Sequence, residues 1–319
     1  MKNEKAIGID LGGTNIRGVF VNKEGKIIQQ LKYKSRTEKG KEFTIKRIME
    51  TVRKLMVQSG NSLEDLKGIG MGAPGPLDIK KGIIHFAPNL PGWKDVPLKR
   101  IFEDEFKTKV ILENDANAAA WGEKTFGVGK GTKNLVCFTL GTGIGGGIIV
   151  DGKIYHGNNF VAAELGHMTV NKNGPCCNCG NYGCLESYSS ATGIRNRIKE
   201  RTRKGIKSDL LSIKDEFSVD SITLKSIFES ARMGDKLTES VIEDAITYLG
   251  IAVANIANIL NPEMIVLVGG ITNEGDKLLN PIKKEVLKRT LSSNHQELKI
   301  AIGKLGDLAG ALGAAALVF

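Results

Sequence analysis

At 319 residues, 41% apolar and 25% charged, the chain has the make-up of a globular protein with room for two cores, which excludes disordered and fibrous classes. Its net charge of +10 arises from 45 Lys and Arg residues scattered among 35 acids, as along Lys41 to Lys54, so it reads as a solvated surface and not as a nucleic-acid-binding stripe. The apolar start at Ala6 meets Asp10 too soon for an export signal, and the alanine-rich run from Ala309 to Phe319 is too short to span a bilayer, so a cytoplasmic protein without membrane contact is expected.

In chain order, Ile7 and Ile9 lead into Leu11-Gly12-Gly13-Thr14 and then Ile16, Val19 and Val21, two strands joined by a glycine hairpin. Apolar residues at helical spacing predict a helix over 42–57, followed by strands over 66–71 and 109–112. Glu113-Asn114-Asp115 then ends a strand and opens a helix that runs to Phe126. Asp115 thus stands at a strand's carboxyl end, where α/β proteins bind ligands, although a plain helix N-cap explains it too. Val136, Phe138 and Leu140 repeat the opening pattern, with Gly141-Thr142-Gly143 as the turn and Ile144 to Val150 as the return. A helix near 237–260 and a strand over 264–268 complete a duplicated α/β plan with a cleft between halves. The expected domains are 1–120, a smaller α/β domain to which the carboxy-terminal helix 307–319 returns, and 121–306, a larger one.

Two glycine hairpins at matched positions suit a nucleotide whose phosphates lie in the cleft, because glycine lets backbone N–H groups approach anionic oxygens. Either hairpin alone reads better as a simple β-turn, and it is the matched pair that reverses this. Gly141, Gly143 and Gly146 fit the dinucleotide spacing, but a β-rich run follows where a helix is required, and no Walker A sequence occurs. Gly269 and Gly270, after the buried strand Ile265 to Val268, would let an adenine ring approach the backbone, or mark only a strand-to-helix turn. His167, Cys177, Cys179 and Cys184 offer one imidazole and three thiolates, the ligand set of a closed structural Zn²⁺ site, against the plainer reading of reduced buried thiols. Cys176 is the spare, and Cys137 belongs to an apolar strand.

Taken together these residues resemble the ROK family of repressors and sugar kinases over essentially the whole chain. Its phosphate loops look like Asp10-Leu11-Gly12-Gly13-Thr14 and Leu140-Gly141-Thr142-Gly143, and its adenosine motif like Val268-Gly269-Gly270. Its two signatures look like Glu164-x-Gly166-His167 and Cys177-x-Cys179-Gly180-x-x-Gly183-Cys184-x-Glu186. The resemblance implies an actin-like (ribonuclease H-like) two-domain ATPase fold, with the larger domain carrying the zinc knuckle. It also implies ATP-dependent phosphorylation of a hexose, glucose first, with Mg²⁺ accompanying the ATP, and a homodimer. Asp115 is then the catalytic base, while Asn89, Asn114, Glu164, His167 and Glu186 hold sugar hydroxyls. The backbone of Gly12, Gly13, Thr142 and Gly143 grips the phosphates, and Asp10 orients Mg²⁺ through water. A kinase for fructose, mannose, N-acetylglucosamine or N-acetylmannosamine stands as the alternative. A sugar-sensing repressor is disfavoured because a strand starting near Lys5 leaves no space for a preceding helix-turn-helix.

Overall fold

The computed structural model describes residues 4–87, 90–212 and 222–319. They fall into two compact units, one of Met1–Cys137, Gly146–Ala163 and Gly303–Phe319, the other of Phe138–Gly145 and Glu164–Ile302.

The first unit contains strands β1 (Lys5–Leu11), β2 (Asn15–Asn22), β3 (Ile27–Lys34), β4 (Leu66–Ala73), β5 (Leu77–Asp78), β6 (Ile83–Phe86), β7 (Lys94–Val96) and β8 (Val110–Asn114). The main sheet has the order β3-β2-β1-β4-β8, and β5, β6 and β7 make a small sheet of their own. β1 and β2 pair antiparallel from Lys5 opposite Asn22 to Leu11 opposite Ile16, as a tight glycine turn requires. β1 with β4 and β4 with β8 pair parallel, so each needs a long crossover, and the helices Lys41–Ser59 and Leu98–Phe106 lie in those connections.

β1 is buried along both faces, which explains its nearly continuous apolar run. Ile7, Ile9 and Leu11 join Ile48, Val52 and Leu55 of the Lys41–Ser59 helix in one core. Ala6 packs with Val19, Val21, Ala311, Leu312 and Ala315 in a second core formed by the carboxy-terminal helix Ala309–Ala316. That helix lies directly on the sheet: a Cβ on Gly70 would stand 1.7 Å from the Ala314 carbonyl oxygen, and one on Gly8 would stand 1.9 Å from that of Ala311. The Asp115–Thr125 helix is seated on the same carboxy-terminal helix as closely, with Gly313 against the Ala118 carbonyl.

The second sheet consists of β9 (Leu135–Leu140), β10 (Ile144–Val150), β11 (Lys153–Ile154), β12 (Met264–Val268) and β13 (Lys299–Ile302), in the order β11-β10-β9-β12-β13. This is the succession of the first sheet again: a hairpin extended by one strand on one side, and two later strands on the other. The expected duplication is present. Among the described residues, the apolar helix that reaches membrane-spanning length is Lys236–Leu260, not the carboxy-terminal run. Val241, Ala245, Leu249, Ala252, Val253 and Ala257 are buried within the protein, so its apolarity is accounted for as core.

Candidate active site

On the first unit, Asp10 occupies the end of β1 and pairs with Arg17 at 3.7 Å, while Arg17 also reaches Asp307 at 3.0 Å. Burial, and then the negative charge of Asp115, push the Asp10 carboxyl up to about 7, with Arg17 opposing them. The two carboxylates are thus near enough for the charge of one to raise the other. The turn after Asp10 is closed by the Gly12 N–H donating to the Asn15 carbonyl at 2.9 Å. The hydroxyls of Ser35 and Thr37 both reach the Gly13 carbonyl, at 2.6 and 3.4 Å. The sequence reading missed these two hydroxyls, since nothing local ties them to Gly13.

The plainer account of Asp115 as the helix N-cap is corrected by the geometry. Asn114 is the cap: its Oδ1 accepts the N–H groups of Ala116 at 2.9 Å and Asn117 at 3.1 Å. Asp115 is the first helical residue, its Oδ1 accepting the Ala116 N–H at 2.8 Å.

On the second unit, the loop after β9 is clamped from three directions. The Gly141 and Thr142 carbonyls accept the N–H groups of Ala191 and Thr192, at 3.0 and 3.3 Å. Glu186 Oε2 accepts the Ile144 N–H at 2.8 Å, and it comes so close that a Cβ on Gly143 would stand 2.3 Å from it. Gly269 lies against Leu140 with φ 112°, where a Cβ would stand 2.3 Å from the Leu140 carbonyl oxygen. Only glycine meets both conditions. The second glycine turn and the Gly269-Gly270 segment, nearly 130 residues apart in sequence, are thereby neighbours.

Glu164, His167 and Glu186 are also brought together. Glu164 is pushed up from the ordinary carboxylate value by burial; His167 pulls it back and Glu186 adds to the rise. His167 ends a single 3₁₀ turn that starts at Leu165, its N–H donating to the Glu164 carbonyl at 3.0 Å.

The four predicted metal ligands converge. One ligand atom each from His167, Cys177, Cys179 and Cys184 lies within 4.8 Å of all the others. Cys179 Sγ and Cys184 Sγ are 3.7 Å apart, and Cys177 Sγ and His167 Nδ1 are 3.8 Å apart. Tetrahedral zinc with bonds of about 2.3 Å to sulfur sets its sulfurs about 3.8 Å from each other, so the residues fit that ion. Burial and the adjoining thiols push Cys184 up to about 12, whereas the Asn181 N–H leads in drawing Cys179 down. The one imidazole and three sulfurs so gathered are a donor set that could hold a metal ion. Gly180 and Gly183, at φ 88° and 68°, make the turns of the knuckle. Cys176 is exposed and stands outside the cluster, and Cys137 is buried. Asn89 lies outside the described residues.

Known proteins resemble this chain over nearly its whole length. The ROK family profile matches residues 6–319. A glucokinase of Thermotoga maritima is 40% identical over 318 residues, covering all of this chain and 98% of its own. A xylose repressor of Caldicellulosiruptor bescii is 33% identical over 98% of this chain and 77% of its own length. Among solved structures, a ROK family glucokinase from Streptomyces griseus in complex with glucose and AMPPNP superposes with a TM-score of 0.82 at 35% identity, covering 98% of both chains. The architecture is the duplicated actin-like ATPase fold of sugar kinases. The chain belongs to the ROK family.

Proposed function

We propose that this protein transfers the terminal phosphoryl group of ATP to the 6-hydroxyl of glucose, giving glucose 6-phosphate. The observation that carries the reading is the full-length likeness to glucokinases, at 40% identity, on a chain that keeps both glycine turns, Asp115 and the Glu164, His167 and Glu186 group. Phosphoryl transfer passes through a loose transition state, so the protein's work is positioning and charge neutralisation.

The N–H groups of Gly12, Gly13, Thr142 and Gly143 serve the phosphates, supported by Thr14 and Gly141, and Gly269 and Gly270 serve the adenosine. Asp10 would orient, through water, the Mg²⁺ that accompanies ATP, which would supply neutralisation of phosphate charge. Asp115 accepts the proton of the sugar's 6-hydroxyl late, as the bond to phosphorus forms. Because the Asn114 Oδ1 is engaged by helix N–H groups, its amide nitrogen is the atom offered to the sugar. Glu164, the Nε2 side of His167 and the Oε1 of Glu186 provide further hydroxyl contacts, with Asn89 as another.

Zinc is the metal we assign to His167, Cys177, Cys179 and Cys184; a closed set of four ligands keeps no position for an activated water, so it shapes the loop. Reduced thiols of this kind accord with the cytoplasm, and a homodimer is the expected assembly. The likeness to a xylose repressor supports sugar binding without turnover as the second reading. A coupled assay over glucose, fructose, mannose, N-acetylglucosamine and N-acetylmannosamine tests both. Glucose is expected to give the highest kcat/KM. An N-acetylhexosamine turned over far better overturns the substrate, and no turnover on any sugar overturns the kinase.

A further inference from the structure

Glu113, the residue before Asn114 and Asp115, has a carboxylate that the proposed mechanism does not use, and its side chain is only 5% exposed. Its Oε1 accepts two donors: the Asn114 backbone N–H at 2.9 Å and the Asn117 Nδ2 at 3.1 Å. Its Oε2 lies 2.8 Å from the Nε2 of His156, a residue 43 positions away on the segment after β11. An ionised carboxylate only accepts, so the imidazole Nε2–H donates. His156 is held in turn: its ring meets Phe160 edge-on at 6.3 Å between centroids, and its backbone carbonyl accepts the Ala162 N–H at 3.2 Å. Phe160 carries the Lys80 ammonium over its face at 5.5 Å.

We infer that His156 and Glu113 form a positioning pair for the reaction, holding the Asn114-Asp115 corner in its working geometry. The chain of contacts is continuous. His156 fixes the Glu113 carboxylate; Glu113 fixes the Asn114 backbone and the Asn117 side chain; Asn114 caps the helix whose first residue is Asp115. Both ends of the corner are therefore tied, one to the strand and one to the helix. Without His156, Oε2 becomes a buried acceptor with no donor, a condition costly enough to make the carboxylate turn and release its other two partners. The effect reaches the reacting atoms only through Asp115, and it falls on kcat because a small misplacement of a base slows chemistry far more than it weakens binding.

The inference rests on the kinase reading, and one set of variants separates the two. His156→Ala is expected to lower kcat on glucose about tenfold or more while the glucose KM stays within about threefold. His156→Asn keeps a polar side chain too short to reach Glu113, and it should match the alanine variant, carrying the test if that variant fails to fold. His156→Gln places an amide N–H where Nε2 lies and should restore kcat to within about threefold of wild type. A wild-type kcat in His156→Asn overturns the pair, as does a loss of kcat, KM and Tm together that glutamine does not restore. Wild-type protein inactive on glucose overturns the kinase reading, and this inference with it.

Discussion

Glu186 Oε2 accepts the backbone N–H of Ile144 at 2.8 Å, so a residue proposed to hold the sugar is also bonded to the turn proposed to grip ATP. Glu186→Ala should therefore weaken both substrates. Loss of a hydrogen bond to a charged acceptor costs about 1.5–3 kcal/mol, so KM for ATP is expected to rise by at least about tenfold, with a larger rise for glucose. Glu186→Gln keeps an oxygen for Ile144, and its ATP KM should return most of the way while the glucose KM stays raised. Separate KM measurements for the two substrates check this; an ATP KM untouched in Glu186→Ala would refute the link.

The same contact extends the reach of the metal knuckle. Cys184 lies two residues before Glu186, and the intervening Leu185 N–H donates to the Met168 carbonyl at 2.9 Å, beside His167. Cys179→Ser should lower bound zinc from about one ion per chain. Glucose affinity is expected to fall sharply and ATP affinity by a smaller factor, read by calorimetry on protein of known zinc content. Zinc-free wild-type protein with both affinities unchanged would leave the cysteines as ordinary thiols.

Asp235 is nearly fully buried and closes the Lys236–Leu260 helix: Oδ1 accepts the Thr238 N–H at 2.9 Å, and Oδ2 accepts the Ser208 hydroxyl and the Asp209 N–H, each at 2.6 Å. Burial raises its pKa, but the donors of Ser208, Thr238, Leu210 and Asp209 outweigh that and leave it below the ordinary aspartate value. A carboxyl lowered in the folded state lends stability above its unfolded pKa and loses it as pH falls through the folded one. Asp235→Ala is expected to cost about 2 kcal/mol at neutral pH. In urea unfolding, the gap between wild type and variant should narrow as pH drops below about 4. A gap that stays constant would contradict the charge-based account.

What was legible in the sequence was local. Glycine turns between alternating apolar residues disclosed both hairpins, and the close spacing of His167, Cys177, Cys179 and Cys184 disclosed the knuckle. β3 was passed over because its Ile27–Lys34 run alternates without a buried face, as an edge strand can. Asn114 and Asp115 are adjacent and both able to cap, so only the helix register could decide between them. The bond of Glu186 to Ile144, across 42 residues, and that of His156 to Glu113, across 43, arise from the tertiary fold and leave no mark in local spacing.

The central claim is that Asp115 serves as the base of an ATP-dependent glucose kinase, and the kcat of Asp115→Asn on glucose with Mg²⁺ and ATP, beside wild type, tests it most directly. The substitution keeps size and an oxygen for the Ala116 N–H, and the cap remains with Asn114, so the helix should be undisturbed. A fall in kcat of at least about a hundredfold is expected, with glucose affinity changed far less. A variant that turns over glucose at nearly the wild-type rate would contradict the account.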